Sequence, residues 1–151
     1  MSKRKPQIED KKLDDVVYFL AERMMRQARL FMRQQFKAFF TEITLDQWIV
    51  LKRVSEEEGI SQIDIASSTF KDPAAVTRIL DILQKKNLVE RQTHPKDRRA
   101  FEVHLTSEGG ELVKKLTPIA QEVRALGMEG IDVEEIEVTK KVLKRIYDNL
   151  K

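Results

Sequence analysis

The stretch from Lys71 to Gly109, KDPAAVTRILDILQKKNLVERQTHPKDRRAFEVHLTSEG, decides the fold. Asp72 is a good helix N-cap. Pro73 stands at the first helical position, where its missing N–H would have had no intrahelical partner. A helix is therefore predicted to start sharply there. Val76, Ile79, Leu80 and Leu83 fall on one side of it at helical spacing, and Ala74, Thr77, Arg78, Asp81 and Lys85 fall on the other. That outer face is small-sided, polar and basic. Asn87 suits a C-terminal stop, because its short amide side chain tolerates left-handed backbone. Leu88-Val89-Glu90-Arg91 and Ala100-Phe101-Glu102-Val103-His104-Leu105 alternate in strand fashion around His94-Pro95-Lys96-Asp97-Arg98-Arg99. A two-stranded wing with a cationic tip follows.

Upstream, Ser61 caps a short helix from Gln62 to about Ser67, with Ile63 and Ala66 expected to point inward. The turn Ser67-Ser68-Thr69-Phe70-Lys71 should bring Phe70 in as a plug between two helices. Before it, Thr44-Leu45-Asp46-Gln47 is a capping box opening the helix LDQWIVLKRVSEEE, which Gly59 closes. Trp48 in that helix reads as a core residue, with a place in a ligand pocket as the alternative. From about Asp10 to Phe40 runs a longer helical pattern without Gly or Pro, followed by a break at Thr41 to Ile43. Leu13, Val16, Val17, Leu20, Met24, Ala28, Phe31 and Phe36 or Phe39 recur in it at three- and four-residue steps. At about 45 Å, such a helix cannot bury its stripe within one small domain and needs a partner helix or a second subunit. Met24, Met25 and Met32 suit either core packing or an adaptable pocket.

Downstream, Thr106 caps a long helix through Glu111, Leu112, Leu116, Ile119, Val123 and Leu126, in which Pro118 should produce a bend. Gly127 and Gly130 end it. A last amphipathic helix spans about Val133 to Leu150, with Ile136, Val142 or Leu143, Ile146 and Leu150 on its apolar side. Both ends of the chain are thus helical and apolar-striped, and their simplest joint fate is a two-fold dimer interface.

The 151 residues are one domain's worth. Cysteine is absent, which excludes disulfides, thiolate metal sites and thiol redox sensing. No apolar run approaches the length of a spanning helix, and MSKRKPQIEDKK lacks the hydrophobic middle of a signal peptide, so a cytoplasmic location with no membrane partner is expected. Net charge is only +3, yet residues 71–101 carry 8 basic against 4 acidic side chains, so the excess sits in the helix and wing. A phosphate-facing surface needs that local asymmetry. Charge alone leaves a merely solvated face equally open.

The ordered set PAAVTRILDILQKKNLVER, PKDRRA and VHLTSEG resembles the winged helix-turn-helix of the MarR (multiple antibiotic resistance regulator) family, and the resemblance extends more loosely over nearly the whole chain. It implies a mainly α fold with a small β-hairpin wing. Residues 1–9 would form a flexible tail, 10–42 an N-terminal dimerisation helix, 43–106 the winged helix-turn-helix, and 107–151 the C-terminal dimerisation helices. The turn is polar where the family often has a more apolar link, and His94 stands where it often has Asp.

The resemblance implies a homodimeric regulator, a repressor by preference, on double-stranded pseudo-palindromic DNA. A small-molecule effector would lodge between the dimerisation helices and the winged domain, although no residue identifies it. Pro73, Ala74, Ala75 and Thr77 are small enough to let the helix sink into the major groove, with Arg78 reaching guanine or phosphate and Lys71 holding phosphate. Asp97-Arg98-Arg99 matches the family's D-x-R pattern. It implies that Arg99 enters the minor groove, its guanidinium braced by Asp97, while Lys96 and Arg98 hold flanking phosphates. The alternative is a winged helix that docks on an acidic protein. No cofactor is expected, and His94 with His104 makes poor material for a metal site. No phosphate loop or nucleophile–base pair suggests an enzyme.

Overall fold

The computed structural model describes residues 5–9, 11–39 and 42–151. The expected helix start at Asp10, its end at Phe40, Thr41 of the expected break and residues 1–4 of the expected tail lie outside the described residues. Residues 5–9 carry no regular structure and are exposed. A single 3-10 turn at Leu13–Asp15 precedes the first long helix, α1 (Val17–Phe39), so Leu13 and Val16 stand outside the helix in which their spacing had placed them. Val16 has extended backbone (ψ 118°), which separates the two pieces.

The capping box is present. Thr44 Oγ1 accepts from the Gln47 N–H at 3.2 Å, and Gln47 Oε1 accepts from the Thr44 N–H at 3.1 Å. It opens α2 (Leu45–Glu56), whose Leu45, Trp48, Leu51 and Val54 form the centre of the core. Trp48 is thus a core residue, and of the three methionines only Met32 packs against the core, Met24 and Met25 being exposed. Ile60–Ser61 forms β1, a strand absent from the expected hairpin, and Ser61 also caps α3 (Gln62–Ser68). α4 spans Pro73–Lys85, with Asp72 Oδ1 accepting from the Ala75 N–H at 2.9 Å. Its Val76, Leu80 and Leu83 are fully buried, as the spacing predicted. The wing comprises β2 (Val89–His94) and β3 (Asp97–Leu105), and the antiparallel sheet order is β1-β3-β2. α5 (Ser107–Leu126) continues through Pro118, and α6 (Val133–Asn149) follows.

Two helix ends share one geometry. At the end of α4 the Leu88 N–H bonds Leu83 O and the Asn87 N–H bonds Gln84 O, both at 2.9 Å, with Asn87 left-handed at φ 58°. At the end of α3 the Lys71 N–H bonds Ala66 O at 3.0 Å and the Phe70 N–H bonds Ser67 O at 3.4 Å, with Phe70 left-handed at φ 54°. Asparagine tolerates that conformation. In phenylalanine the Cβ is pressed against the backbone carbonyl oxygen there, at a cost of about 1–2 kcal/mol.

Two inward assignments on the helix-turn-helix are corrected, while Ala66 is buried as expected. Ile63 is 73% exposed and Phe70 84% exposed, so neither plugs the core. On so short a helix the residues facing α2 and α4 are Ile65 and Ala66, which are buried, and the helical rotation carries Ile63 outward. Phe70 is turned out by its left-handed backbone. α6 has no fully buried residue, only Ile136 and Ile146 being half-buried, and the apolar positions of the 3-10 turn and the first turns of α1 are largely uncovered. Among the described residues, no helix is long and apolar enough to cross a membrane.

Candidate nucleic-acid interface

The N-terminal turn of α4 projects from the domain because α2 and α3 hold only its opposite side. Pro73, Ala74 and Arg78 are exposed, whereas Ala75 and Thr77 are half-buried against α3. The Thr77 hydroxyl accepts from Gln62 Nε2 at 2.6 Å and donates to Pro73 O at 3.0 Å, so its single proton is engaged within the protein. Gln62 was not singled out in the sequence, since nothing in its spacing pointed across to α4.

Lys71 differs most from its expected role. Its side chain is 11% exposed, and its ammonium lies 2.5 Å from Asp46 Oδ1 at the start of α2. Arg29 and Arg33 of α1 reach the same carboxylate at 3.6 Å each. Lys71 therefore ties the turn before α4 to α2 instead of projecting toward a phosphate. Partial burial pushes the Asp46 carboxyl up, but the Lys71 ammonium and the two guanidinium groups outweigh it and hold the group below its ordinary value.

Removing this carboxylate in D46N strands a buried ammonium. We expect a loss of about 2 kcal/mol at neutral pH, less than for a fully buried pair because Asp46 is one-third exposed. Because the folded-state pKa is depressed, this contribution is present above the unfolded value of 3.8 and fades as pH falls through the folded one. Urea unfolding of D46N against wild type from about pH 3 to pH 7 tests it, the difference closing at the acid end.

In the wing, the ladder runs regularly from Val89↔Leu105 to Thr93↔Phe101 and then jumps to His94↔Asp97. Arg98, Arg99 and Ala100 are thereby left without ladder partners in a bulge, a device that re-aims side chains. Asp97 Oδ1 accepts from the Arg99 backbone N–H at 2.9 Å. No ion pair joins the two side chains, so the expected brace on the guanidinium is corrected: two residues apart, the short carboxylate closes a ring on the main chain. Among the described residues, Arg78, Lys96, Arg98 and Arg99 have no intrachain acidic partner. Arg91, by contrast, is paired with Asp81 and donates from Nε to Gln84 Oε1 at 2.9 Å. The four unpaired cations lie on the outer side of α4 and at the wing tip, where Lys96, Asp97, Arg98 and Arg99 are all exposed.

The two histidines share one acid. Glu102 Oε1 lies 3.5 Å from His94 Nε2, and its Oε2 lies 3.5 Å from His104 Nε2. His104 Nδ1 donates to Glu58 at 2.9 Å, and this hydrogen bond, opposed by some burial and aided by Glu102, raises the imidazole pKa above 6.5. Glu90 stands opposite His104 in the register, adding a third carboxylate to that face. Among the described residues, no group of three or more His, Cys, Asp or Glu is arranged to hold a metal ion.

The sign of the pH effect follows from that rise. The stabilisation from His104 is complete below the unfolded value of 6.5 and is lost as pH rises through the folded one. H104Q should therefore destabilise the protein most near pH 6 and progressively less toward about pH 8.5, as read by thermal unfolding. A pH-independent difference would remove the titration from the account.

Two open cavities flank this domain. One of about 700 Å³ is lined by Glu42, Lys86, Leu88, Glu108, Leu112 and Lys115 among others, and one of about 500 Å³ runs along α5 beside Phe39. Neither is lined by Trp48 or by Met24, Met25 or Met32.

A helix presented by its N-terminal turn beside a basic two-stranded wing defines a winged helix-turn-helix. Residues 43–101 match the sequence model of the MarR family. Over that segment the chain is similar to MarR-family proteins. Its fold is similar to that of a MarR-family transcriptional regulator from Rhodococcus sp. RHA1, with a TM-score of 0.82 and 23% identity over 91% of this chain and 96% of that one. It is similar to BpsR from Bordetella bronchiseptica, whose DNA binding is regulated by 6-hydroxynicotinic acid, with a TM-score of 0.80 and 23% identity over 93% and 99% of the two chains. A third likeness is to MepR from S. aureus, solved in complex with DNA, with a TM-score of 0.74 and 24% identity over 89% and 98%. At these identities the likenesses show the fold.

Proposed function

We propose that this chain is a homodimeric transcriptional repressor that binds a pseudo-palindromic DNA operator, with α4 in the major groove and the wing in the adjacent minor groove. The observation that carries the reading is the set of unpaired cations, Arg78, Lys96, Arg98 and Arg99, beside a small-sided helix start. A guanidinium without an internal counter-ion is available to displace the counterions of a phosphate backbone, and Arg99 on a protruding bulge suits a narrow minor groove. Pro73, Ala74 and Ala75 allow close approach, with their methyl and ring carbons toward thymine methyls. Lys71 acts indirectly here, by anchoring the turn that precedes the helix.

Residues 43–106 form the DNA-binding unit in this reading, and the helices of 10–42 and 107–151 form the dimer. The support for the dimer is the uncovered apolar side of α6, where Val138, Val142, Leu143, Tyr147 and Leu150 are exposed. Such a stripe is covered most simply by its own copy about a two-fold axis. Regulation by a small ligand is supported by BpsR and by PcaV of Streptomyces coelicolor, solved with its natural ligand. A ligand between the dimer helices and the winged domain would favour a spacing of the two α4 helices that no longer matches adjacent grooves. The role is non-catalytic.

The test is binding of the purified protein to duplex DNA from its own promoter region against a random duplex, across a salt series. A preference of about a thousandfold with a steep salt slope supports the reading. Shallow, sequence-blind binding would instead favour a winged helix that docks on an acidic protein.

A further inference from the structure

We infer that Phe70 is a DNA-contacting residue, laying its ring against the apolar parts of the duplex, a thymine methyl or a deoxyribose, beside the start of α4. The inference rests on the DNA-binding reading above and adds a residue that the motif carrying that reading does not contain. Phe70 occupies the position of a helix-ending motif that requires left-handed backbone, φ 54°, where glycine is the residue without penalty. It obtains nothing inside the domain in return, since 84% of it is exposed. A bulky residue both strained and exposed has no folding reason to be there, and strain of this kind collects at functional surfaces.

Its surroundings point to the ligand. Phe70 lies two residues before the Asp72 cap of α4, at the end of the helix that a helix-turn-helix presents to base edges. The polar groups nearby are already occupied. Lys71 is held by Asp46, the Asp72 carboxylate caps Ala75, and the Thr77 hydroxyl bonds Pro73 and Gln62. Apart from the Arg78 guanidinium one turn further on, what remains outward is apolar: the Phe70 ring, Pro73 and the Ala74 methyl. An apolar edge of that kind recognises the thymine C5-methyl or the sugar rim, and it cannot compete for phosphate.

The experiment uses the full chain and a duplex recovered by the wild-type protein from a random pool. Binding is measured for wild type, F70G, F70N and F70Y, and each thymidine of the duplex is replaced in turn by deoxyuridine, which lacks only the methyl group. F70G and F70N, both compatible with left-handed backbone, should bind about tenfold more weakly, while F70Y stays within about twofold of wild type. F70G should also melt no lower than wild type, so that stability and affinity move in opposite directions. Loss on one thymidine replacement per half-site, seen with wild type and absent with F70G, assigns the methyl group. Loss with F70G and no such position assigns the sugar. F70G binding within about twofold of wild type overturns the inference while leaving the regulator reading intact. Failure of the wild-type chain to select any duplex overturns both.

Discussion

Replacing Gly109 by alanine is expected to destabilise the protein by about 3 kcal/mol or more, the largest effect among replacements of its five glycines by alanine. A Cβ at this position would stand 1.9 Å from Leu88 O and 2.9 Å from Leu88 C, with Leu105 Cδ2 at 3.3 Å. Backbone cannot be moved aside as a flexible side chain can, so α5 would have to lift off the end of α4. That junction is heavily bonded. The Thr106 N–H donates to Leu88 O at 3.2 Å, the Thr106 hydroxyl donates to Asn87 O at 2.6 Å, and the Gly109 N–H donates to the Thr106 oxygen at 3.0 Å. Gly110 is the natural control. A Cβ there meets nothing within 4 Å, so G110A should be neutral or stabilise by up to about 1 kcal/mol through helix propensity. Urea unfolding of both variants is the check, and equal stability of G109A and G110A would show that the close approach is not rigid.

The second large effect is expected on DNA. Under the proposed function, R99A should weaken binding to the promoter duplex by about tenfold to a hundredfold and lower the salt slope by about one. The structure alters what to expect of its neighbour. Asp97 holds the Arg99 main-chain N–H, not its guanidinium, so D97A loosens the bulge while leaving the cation available. Its loss should be several-fold at most, with the salt slope kept. An R99A variant that folds and binds as wild type does, slope included, would remove the wing from the DNA contact. Equal losses for R99A and D97A would mean that bulge and guanidinium act as one unit.

Much of the fold was legible before any coordinates, wherever the deciding residues lie within a few positions of one another. The Asp72–Pro73 start of α4, its buried Val76, Leu80 and Leu83, the Asn87 stop and the Thr44–Gln47 capping box are all local chemistry, and all are present. The wing followed from alternation alone. The cationic candidates at its tip were legible too, because a solvent-facing arginine needs no partner to be recognised.

What the linear pattern could not supply depends on residues far apart in the chain. Whether Lys71 faces DNA or Asp46 is settled 25 residues away, by where α2 begins relative to the turn. The β1 strand exists because Ile60 and Ser61 meet Val103 and Glu102, and two residues have no periodicity to read. Ile63 and Phe70 read as core because they are large and apolar, yet the packing of α3 on its neighbours gave the inner positions to Ile65 and Ala66. Capping and periodicity are paid in bonds within one turn, so the sequence by itself determined where helices and strands form. Side-chain direction at the helix-turn-helix is set by long-range packing, and only the tertiary structure decided which of its residues remain outside to meet a partner.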